Sequence, residues 1–231
     1  MSFRALLLDL DGTLADTAPD LGGALNQLRL QQGLSALPAD VIRPVASNGA
    51  RGLLKVGFDL EPDHPDYDGL REALLAAYIT RIARETRLFE GMAELLKQLQ
   101  THNIVWGVVT NKPAWLTTPL MEALAVDPAA ACVVSGDTVA KAKPHPEPLL
   151  HAATLINCPP GECIYVGDAP RDIQAATAAG MLPVAAAWGY LPETPPIDHW
   201  GAMSVAQSPA ALGDWLANRL SDPSKAPQHA S

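Results

Sequence analysis

Five short apolar runs recur along the chain: ALLLDL (5–10), IVWGVV (104–109), ACVVSG (131–136), CIYVG (163–167) and LPVAAAW (182–188). None shows the strict alternation of a half-exposed strand. Their near-continuous apolar character is what a strand needs when both faces of its sheet are covered. Stretches of helical period and length separate the last four, and another precedes the second. In MAELLKQL, Met92, Leu95, Leu96 and Leu99 fall at i, i+3, i+4 and i+7, the spacing of one helix face. Strands alternating with helices predict an α/β fold with a parallel sheet flanked by helices. Trp106 and Trp188 lie inside two of the runs and are assigned to the core.

Residues 16–86 break this rhythm, with helical patterns and no convincing strand. Thr17 with Asp20 predicts a capping box opening a helix over TAPDLGGALNQLRLQQG, with Gly33 as its stop. DYDGLREALLAAYITRIARE (66–85) predicts a second helix. An all-helical insert between adjacent strand–helix units predicts a small α-helical cap (16–86) on a core built from 1–15 and 87–220. The tail SDPSKAPQHAS (221–231) has the composition of a disordered segment. No internal repeat is present.

Polar residues fall where a parallel sheet would use them. Asp9 and Asp11 end the first run, Thr110 and Asn111 the second, and Asp168 the fourth; Asp137 and Lys143 follow the third. Ligands of open α/β sheets bind beyond the carboxyl ends of the strands. Asp9 and Asp11, one residue apart, repel one another unless a cation lies between them or one is protonated. Asp137 and Asp40 read as turn formers or helix caps.

Composition narrows the reading. The chain has 231 residues and is 48% hydrophobic, enough for one large domain or a core domain with a smaller second one. Its net charge is -9 without a basic patch, which argues against nucleic acid as a main partner. An acidic protein that binds an anion has to concentrate positive potential locally, for instance with a metal. Cys132, Cys158 and Cys163 are odd in number and lack paired spacing, so they read as buried thiols of a reducing compartment. The six histidines show no metal spacing. No run reaches the roughly 18 apolar residues of a membrane span, and the start lacks a signal-peptide core, so a cytoplasmic location without membrane partners is expected. Oligomeric state is not encoded legibly.

Four clusters, D9-L-D11-G-T13, T110-N111, K143-P144 and G167-D168-A-P-R-D172, stand in order and together resemble the haloacid dehalogenase (HAD) superfamily of phosphohydrolases. The resemblance spans nearly the whole chain and implies a HAD-like Rossmannoid core with the insert in the place of a C1-type cap. It implies a Mg²⁺-dependent phosphatase acting through an aspartyl-phosphate. Asp9 would be the nucleophile and Asp11 the general acid and base. Mg²⁺ would be held by Asp9, the main-chain carbonyl of Asp11, and Asp168. Thr110, Asn111 and Lys143 would bind the phosphoryl group, and Asp172 would act on the metal through water or orient Lys143. These roles agree with general chemistry: a carboxylate nucleophile splits a hard step into two, and phosphoryl transfer needs mainly positioning and charge neutralisation.

Substrate choice is expected to lie in the cap, where a lid supplies contacts and excludes water. In SNGARGLLKVGF (47–58), Ser47, Asn48, Arg51 and Lys55 offer hydroxyl or anion contacts; the alternative is a solvated helix start. DGTLADTAPDL and GDTVAKAKPHPEPLL resemble the phosphoglycolate phosphatase group, but SNGARG replaces the V-G-x-G common there. SNGAR, RLFEGM (87–92), WGVVTNKP (106–113) and DHWGA (198–202) resemble phosphatases of N-acetylmuramic acid 6-phosphate in peptidoglycan recycling. That resemblance implies a small phosphosugar bearing a lactyl carboxylate, with Arg51 and Asn48 as substrate contacts. The alternatives are a phosphoglycolate phosphatase, a phosphosugar mutase, a pyrophosphatase, or a non-catalytic module that binds phosphometabolites. His199 and Trp200 lie either at the site rim or over the sheet edge.

Overall fold

The computed structural model describes residues 3–221. Most of the 221–231 tail, predicted disordered, lies outside the described residues. A six-stranded, all-parallel sheet forms the core: β1 (Ala5–Leu8), β4 (Val105–Val109), β5 (Val133–Val134), β6 (Cys163–Gly167), β7 (Leu182–Ala186) and β8 (Ser204–Ala206). Its order is β5-β4-β1-β6-β7-β8, so β1 sits centrally with Leu6 opposite Trp106 on one side and Ile164 on the other. The five apolar runs all contribute strands; β8, three residues long, gave no sequence signal.

The continuous apolar character of the runs has the expected cause. In β1, Leu6 and Leu8 pack with Trp106, Ile164 and Val184 on one face, while Ala5 and Leu7 pack with Val134 and Tyr165 on the other. The first face is covered by α5 (Met92–Thr101) and α9 (Pro209–Ser221), the second by α7 (Glu147–Leu155) and α8 (Pro170–Ala178). A fifth helix of this region, α6 (Ala114–Leu124), follows β4, and the carboxylate of Asp137 accepts a bond from the Ala114 amide at its start. Trp106 is buried, and Trp188 packs against the same cluster and donates to the Thr13 carbonyl. Trp200 lies over the sheet with Ile173 and Ala185, whereas His199 is exposed.

The helical insertion comprises α1 (Ala18–Gln31), α2 (Ala39–Ile42), a 3₁₀ turn (Arg43–Asn48), α3 (Gly49–Phe58) and α4 (Tyr67–Ile79). Its entry and exit are pinned by an antiparallel pair that sequence reading missed: β2 (Ala15–Asp16) with β3 (Arg87–Leu88). The insertion has its own apolar cluster, including Leu25, Leu53, Leu54, Leu74 and Tyr78, and it reaches the core through Leu116 and Tyr190.

Two helix expectations need correction. Thr17 and Asp20 do not form a capping box, because the Thr17 hydroxyl donates to Asp11 at 2.6 Å instead. The fully buried Asp20 carboxylate takes the amides of Glu85 and Thr86, the Thr86 hydroxyl and Arg81. That capture also ends the second helix early: α4 stops at Ile79 rather than at 85, and the chain turns back to the core. Burial alone would raise the Asp20 carboxyl, but these bonds overcome it and hold it below its ordinary range. Asp20→Ala strands four donors where the insertion rejoins the core and is expected to cost about 3 kcal/mol of unfolding free energy in a urea titration. A loss under about 0.5 kcal/mol would mean that this junction is held by something else.

Candidate functional site

The predicted residues converge at the carboxyl end of the sheet. Asp9 follows β1 directly and is still tied to the neighbouring strand, its amide donating to the Val166 carbonyl at 2.9 Å. The chain then turns sharply at Gly12, whose φ is +82° and where a Cβ would meet the Asp168 carboxylate. Only glycine serves both needs there. Asp168 follows β6, and Asp172 lies in the first turn of α8, where it accepts the Ala169 amide at 3.0 Å.

Lys143 is the electrostatic centre. Its ammonium is completely buried and lies 3.0 Å from Asp9, 2.8 Å from Asp172, 2.9 Å from the Val109 carbonyl and 2.7 Å from the Tyr165 hydroxyl. The Asn111 side chain clasps the Lys143 backbone, donating to its carbonyl at 2.9 Å and accepting its amide at 3.0 Å. Asn111, expected from sequence at the phosphoryl group, thus spends its side-chain amide on fixing the Lys143 segment. The buried Thr110 accepts the Lys112 amide at 3.2 Å, and Thr110 and Asn111 both line the cavity described below.

Asp9, Asp168 and Asp172 bring carboxylate oxygens within 4.8 Å of one another, all buried. Three buried carboxylates lie together with one ammonium, which bonds only Asp9 and Asp172, and this leaves an excess of buried negative charge. Burial first, and then the neighbouring carboxylates, push Asp9 up to about 6 against the pull of Lys143, and Asp168 up to about 7. Burial would depress Lys143, but Asp172 and Asp9 outweigh it and raise it. Hard oxygen donors with uncompensated charge suit a hard divalent cation. The cluster contains Asp9 and Asp168 of the set expected from sequence and adds the side chain of Asp172; the Asp11 carboxylate, expected as acid and base and not as a ligand, lies apart from it.

Asp11 faces the insertion. Its Oδ1 accepts the Thr17 hydroxyl at 2.6 Å and the Lys112 ammonium at 2.8 Å, with Oδ2 3.0 Å from the same nitrogen. Sequence reading missed Lys112, although it directly follows Thr110 and Asn111. It is buried, and Asp11 overcomes the effect of that burial to hold it well above its ordinary range. Arg171 was missed too: it donates to the Ser47 carbonyl and, at 3.0 Å, to Asn48 Oδ1. Ser47 in turn donates to Asp168 at 2.6 Å, so the insertion is latched onto the sheet end.

Between the two lies a cavity of about 890 Å³ with Asp9, Asp11, Thr110 and Lys143 at its floor and Asn48, Arg51 and Lys55 in its wall. Arg51 pairs with Glu61 at 3.3 Å, and Lys55 with Asp59 at 2.7 Å. No helix among the described residues is long and apolar enough to cross a membrane.

A parallel sheet carries a helical insertion, and buried aspartates lie around a lysine at its carboxyl end, an arrangement suited to phosphoryl transfer. The haloacid dehalogenase-like hydrolase family model matches residues 6–186, and the chain belongs to that family. It is 39% identical over 213 residues to an N-acetylmuramic acid 6-phosphate phosphatase of Pseudomonas putida, covering 92% of this chain and 95% of the relative. It is 41% identical over 214 residues to a phosphoglycolate phosphatase of Xanthomonas campestris, covering 90% and 94%. The fold matches the crystal structure of a predicted phosphoglycolate phosphatase from Haemophilus somnus with a TM-score of 0.81, at 24% identity over 93% of this chain and 98% of that one. The chain is a HAD-type phosphoric monoester hydrolase, and its relatives act on small phosphorylated metabolites.

Proposed function

We propose that this hydrolase removes phosphate from N-acetylmuramic acid 6-phosphate, or a closely similar phosphosugar, through an aspartyl-phosphate on Asp9. The observation that carries the reading is the cavity. Its volume of about 890 Å³ lies near the top of the roughly 300–1,000 Å³ range of small-molecule sites, and cationic residues line its wall. A two-carbon acid such as phosphoglycolate would leave most of that space unfilled.

In this reading Asp9 attacks phosphorus, the phosphorus–oxygen bond of the ester breaks, and Asp11 gives the leaving oxygen its proton. Asp11 then takes a proton from the water that attacks the phosphorylated Asp9, releasing phosphate. Lys112 and Thr17 hold the Asp11 carboxylate in one orientation for both steps. Thr110 and Lys143 bind phosphoryl oxygens, with Asn111 fixing Lys143 from behind. Asp9 and Asp168, with Asp172 beside them and the Asp11 carbonyl on the same loop, would hold Mg²⁺. When bound, the ion would neutralise phosphoryl charge and shield it from Asp9. Asn48 and Arg51 form part of the wall that excludes water.

Phosphate release from N-acetylmuramic acid 6-phosphate and from 2-phosphoglycolate, measured side by side as kcat/KM with Mg²⁺, tests the proposal. A ratio above about ten for the sugar supports it, since pocket contacts of this kind discriminate by at least that much. A ratio reversed in favour of phosphoglycolate overturns it. Independently of turnover, Mg²⁺ at a hundredfold excess over its Kd should stabilise the protein by about 2.7 kcal/mol, seen as a higher Tm. The shift should vanish in Asp168→Asn; an equal shift in that variant would place the ion elsewhere.

A further inference from the structure

One face of α4 is turned to the cavity: Tyr67, Arg71, Leu75 and Tyr78 all line it, at the spacing of a single helix stripe. Two of these side chains lack the partners that their chemistry calls for. Tyr78 is completely buried, and its hydroxyl is the buried side-chain polar atom left without a hydrogen-bond partner among the described residues. Buried polar groups are almost always paired, so such an exception marks either a cost to folding or a place kept for a ligand. The nearest cation, Lys112, lies 4.7 Å from the centre of the Tyr78 ring and close enough to its hydroxyl to favour the ionised phenol, while its ammonium bonds Asp11 in good geometry. Burial outweighs that cation and pushes the phenol up to about 12, so the hydroxyl remains a neutral donor.

Arg71 stands out by comparison with the other cations of the cavity. Arg51 is held by Glu61, Lys55 by Asp59, Lys112 by Asp11, Lys143 by Asp9 and Asp172, and Arg171 by Asn48 and the Ser47 carbonyl. Among the described residues, Arg71 lines the cavity with no such partner. A planar guanidinium with its fork unspent is a ready receptor for a carboxylate. Arg51, already engaged by Glu61, is the poorer candidate.

We infer that the cavity face of α4 is the subsite for the organic half of the substrate, with Arg71 receiving a carboxylate and Tyr78 donating to a sugar hydroxyl or ether oxygen. The inference rests on the reading of the site as a phosphosugar hydrolase and names the residues that would make it selective. It also accounts for the apolar Leu75 between the two polar residues, which packs well against the carbon face of a sugar ring.

The test compares N-acetylmuramic acid 6-phosphate with N-acetylglucosamine 6-phosphate, which lacks only the lactyl group and its carboxylate, in wild type, Arg71→Met and Tyr78→Phe. Wild type is expected to favour the carboxylated sugar about tenfold or more. Arg71→Met should erase that preference, mainly through KM on the carboxylated sugar. Tyr78→Phe should lower kcat/KM on both sugars about fivefold to tenfold, while its Tm without ligand stays level or rises because an unsatisfied hydroxyl is gone. Equal losses on both sugars in Arg71→Met, or a fall of several degrees in Tm for Tyr78→Phe, would overturn the assignment and make these residues structural. Wild type that prefers 2-phosphoglycolate to both sugars would refute the substrate reading instead. The Arg71 assignment would then be decided on 2-phosphoglycolate against ethyl phosphate, and it survives only if Arg71→Met erases that preference.

Discussion

Replacing Asp9 by asparagine is expected to lower kcat by more than about a thousandfold, the usual consequence of removing a nucleophile. The fold should survive. Asparagine keeps the shape of the side chain and an oxygen for the Leu10 amide, which donates to Asp9 at 2.8 Å. The charge it removes is one that the site holds unwillingly, since burial and the nearby carboxylates push Asp9 up to about 6. Tm should therefore stay level or rise slightly. Turnover of p-nitrophenyl phosphate with Mg²⁺, together with a thermal melt, checks both halves. Near-wild-type turnover by a well-folded variant would remove Asp9 from the nucleophile's role.

Lys143→Met should differ in kind. Turnover is again expected to fall more than about a hundredfold, because the charge proposed to bind the phosphoryl group is gone. Stability should fall as well. Asp9, Asp168 and Asp172 would then be buried together without an ammonium, and breaking a buried pair from one side costs about 3–5 kcal/mol. For a chain of this size that corresponds to a Tm lower by roughly 10 °C. The deficit should be pH-dependent. Asp9 and Asp168 are already raised to about 6 and 7, so the folded state takes up protons there that the unfolded state does not. Stability tied to those protons is present at low pH and lost as pH rises through 6 to 7, so the variant should lie closer to wild type at pH 5 than at pH 8. A Lys143→Met protein as stable as wild type at pH 8 would mean that the carboxylates do not depend on Lys143.

The contrast between these variants follows from what the chain encodes locally and what it encodes only through packing. The five apolar runs and the polar residues at their ends are local, so the sheet and the positions of Asp9, Asp11, Thr110, Lys143 and Asp168 beyond it are legible in the sequence alone. Strands of two and three residues, β2, β3 and β8, are too short to carry a pattern of their own. The Thr17 capping box failed because a buried carboxylate, Asp11, competed for the hydroxyl, and that competitor becomes visible only when the insertion folds over the sheet. Lys112, Arg171 and Tyr78 were missed for the same reason. Their roles come from contacts across 101, 123 and 124 residues for the first two and from packing against Lys112 for the third. Asn111 shows the reverse case: its position was legible, but the object of its amide, the Lys143 backbone, was not.

The central claim is that the phosphoryl group passes through Asp9. Its most direct test is to mix Asp11→Asn with p-nitrophenyl phosphate and Mg²⁺, quench in acid, and map the protein by mass spectrometry. The good leaving group needs little help from an acid, whereas hydrolysis of the intermediate still needs the missing base. The account predicts a burst of about one p-nitrophenol per protein and one phosphoryl group on the peptide carrying Asp9. p-Nitrophenol released with no phosphoryl group retained, or a phosphoryl group on another residue, would contradict it.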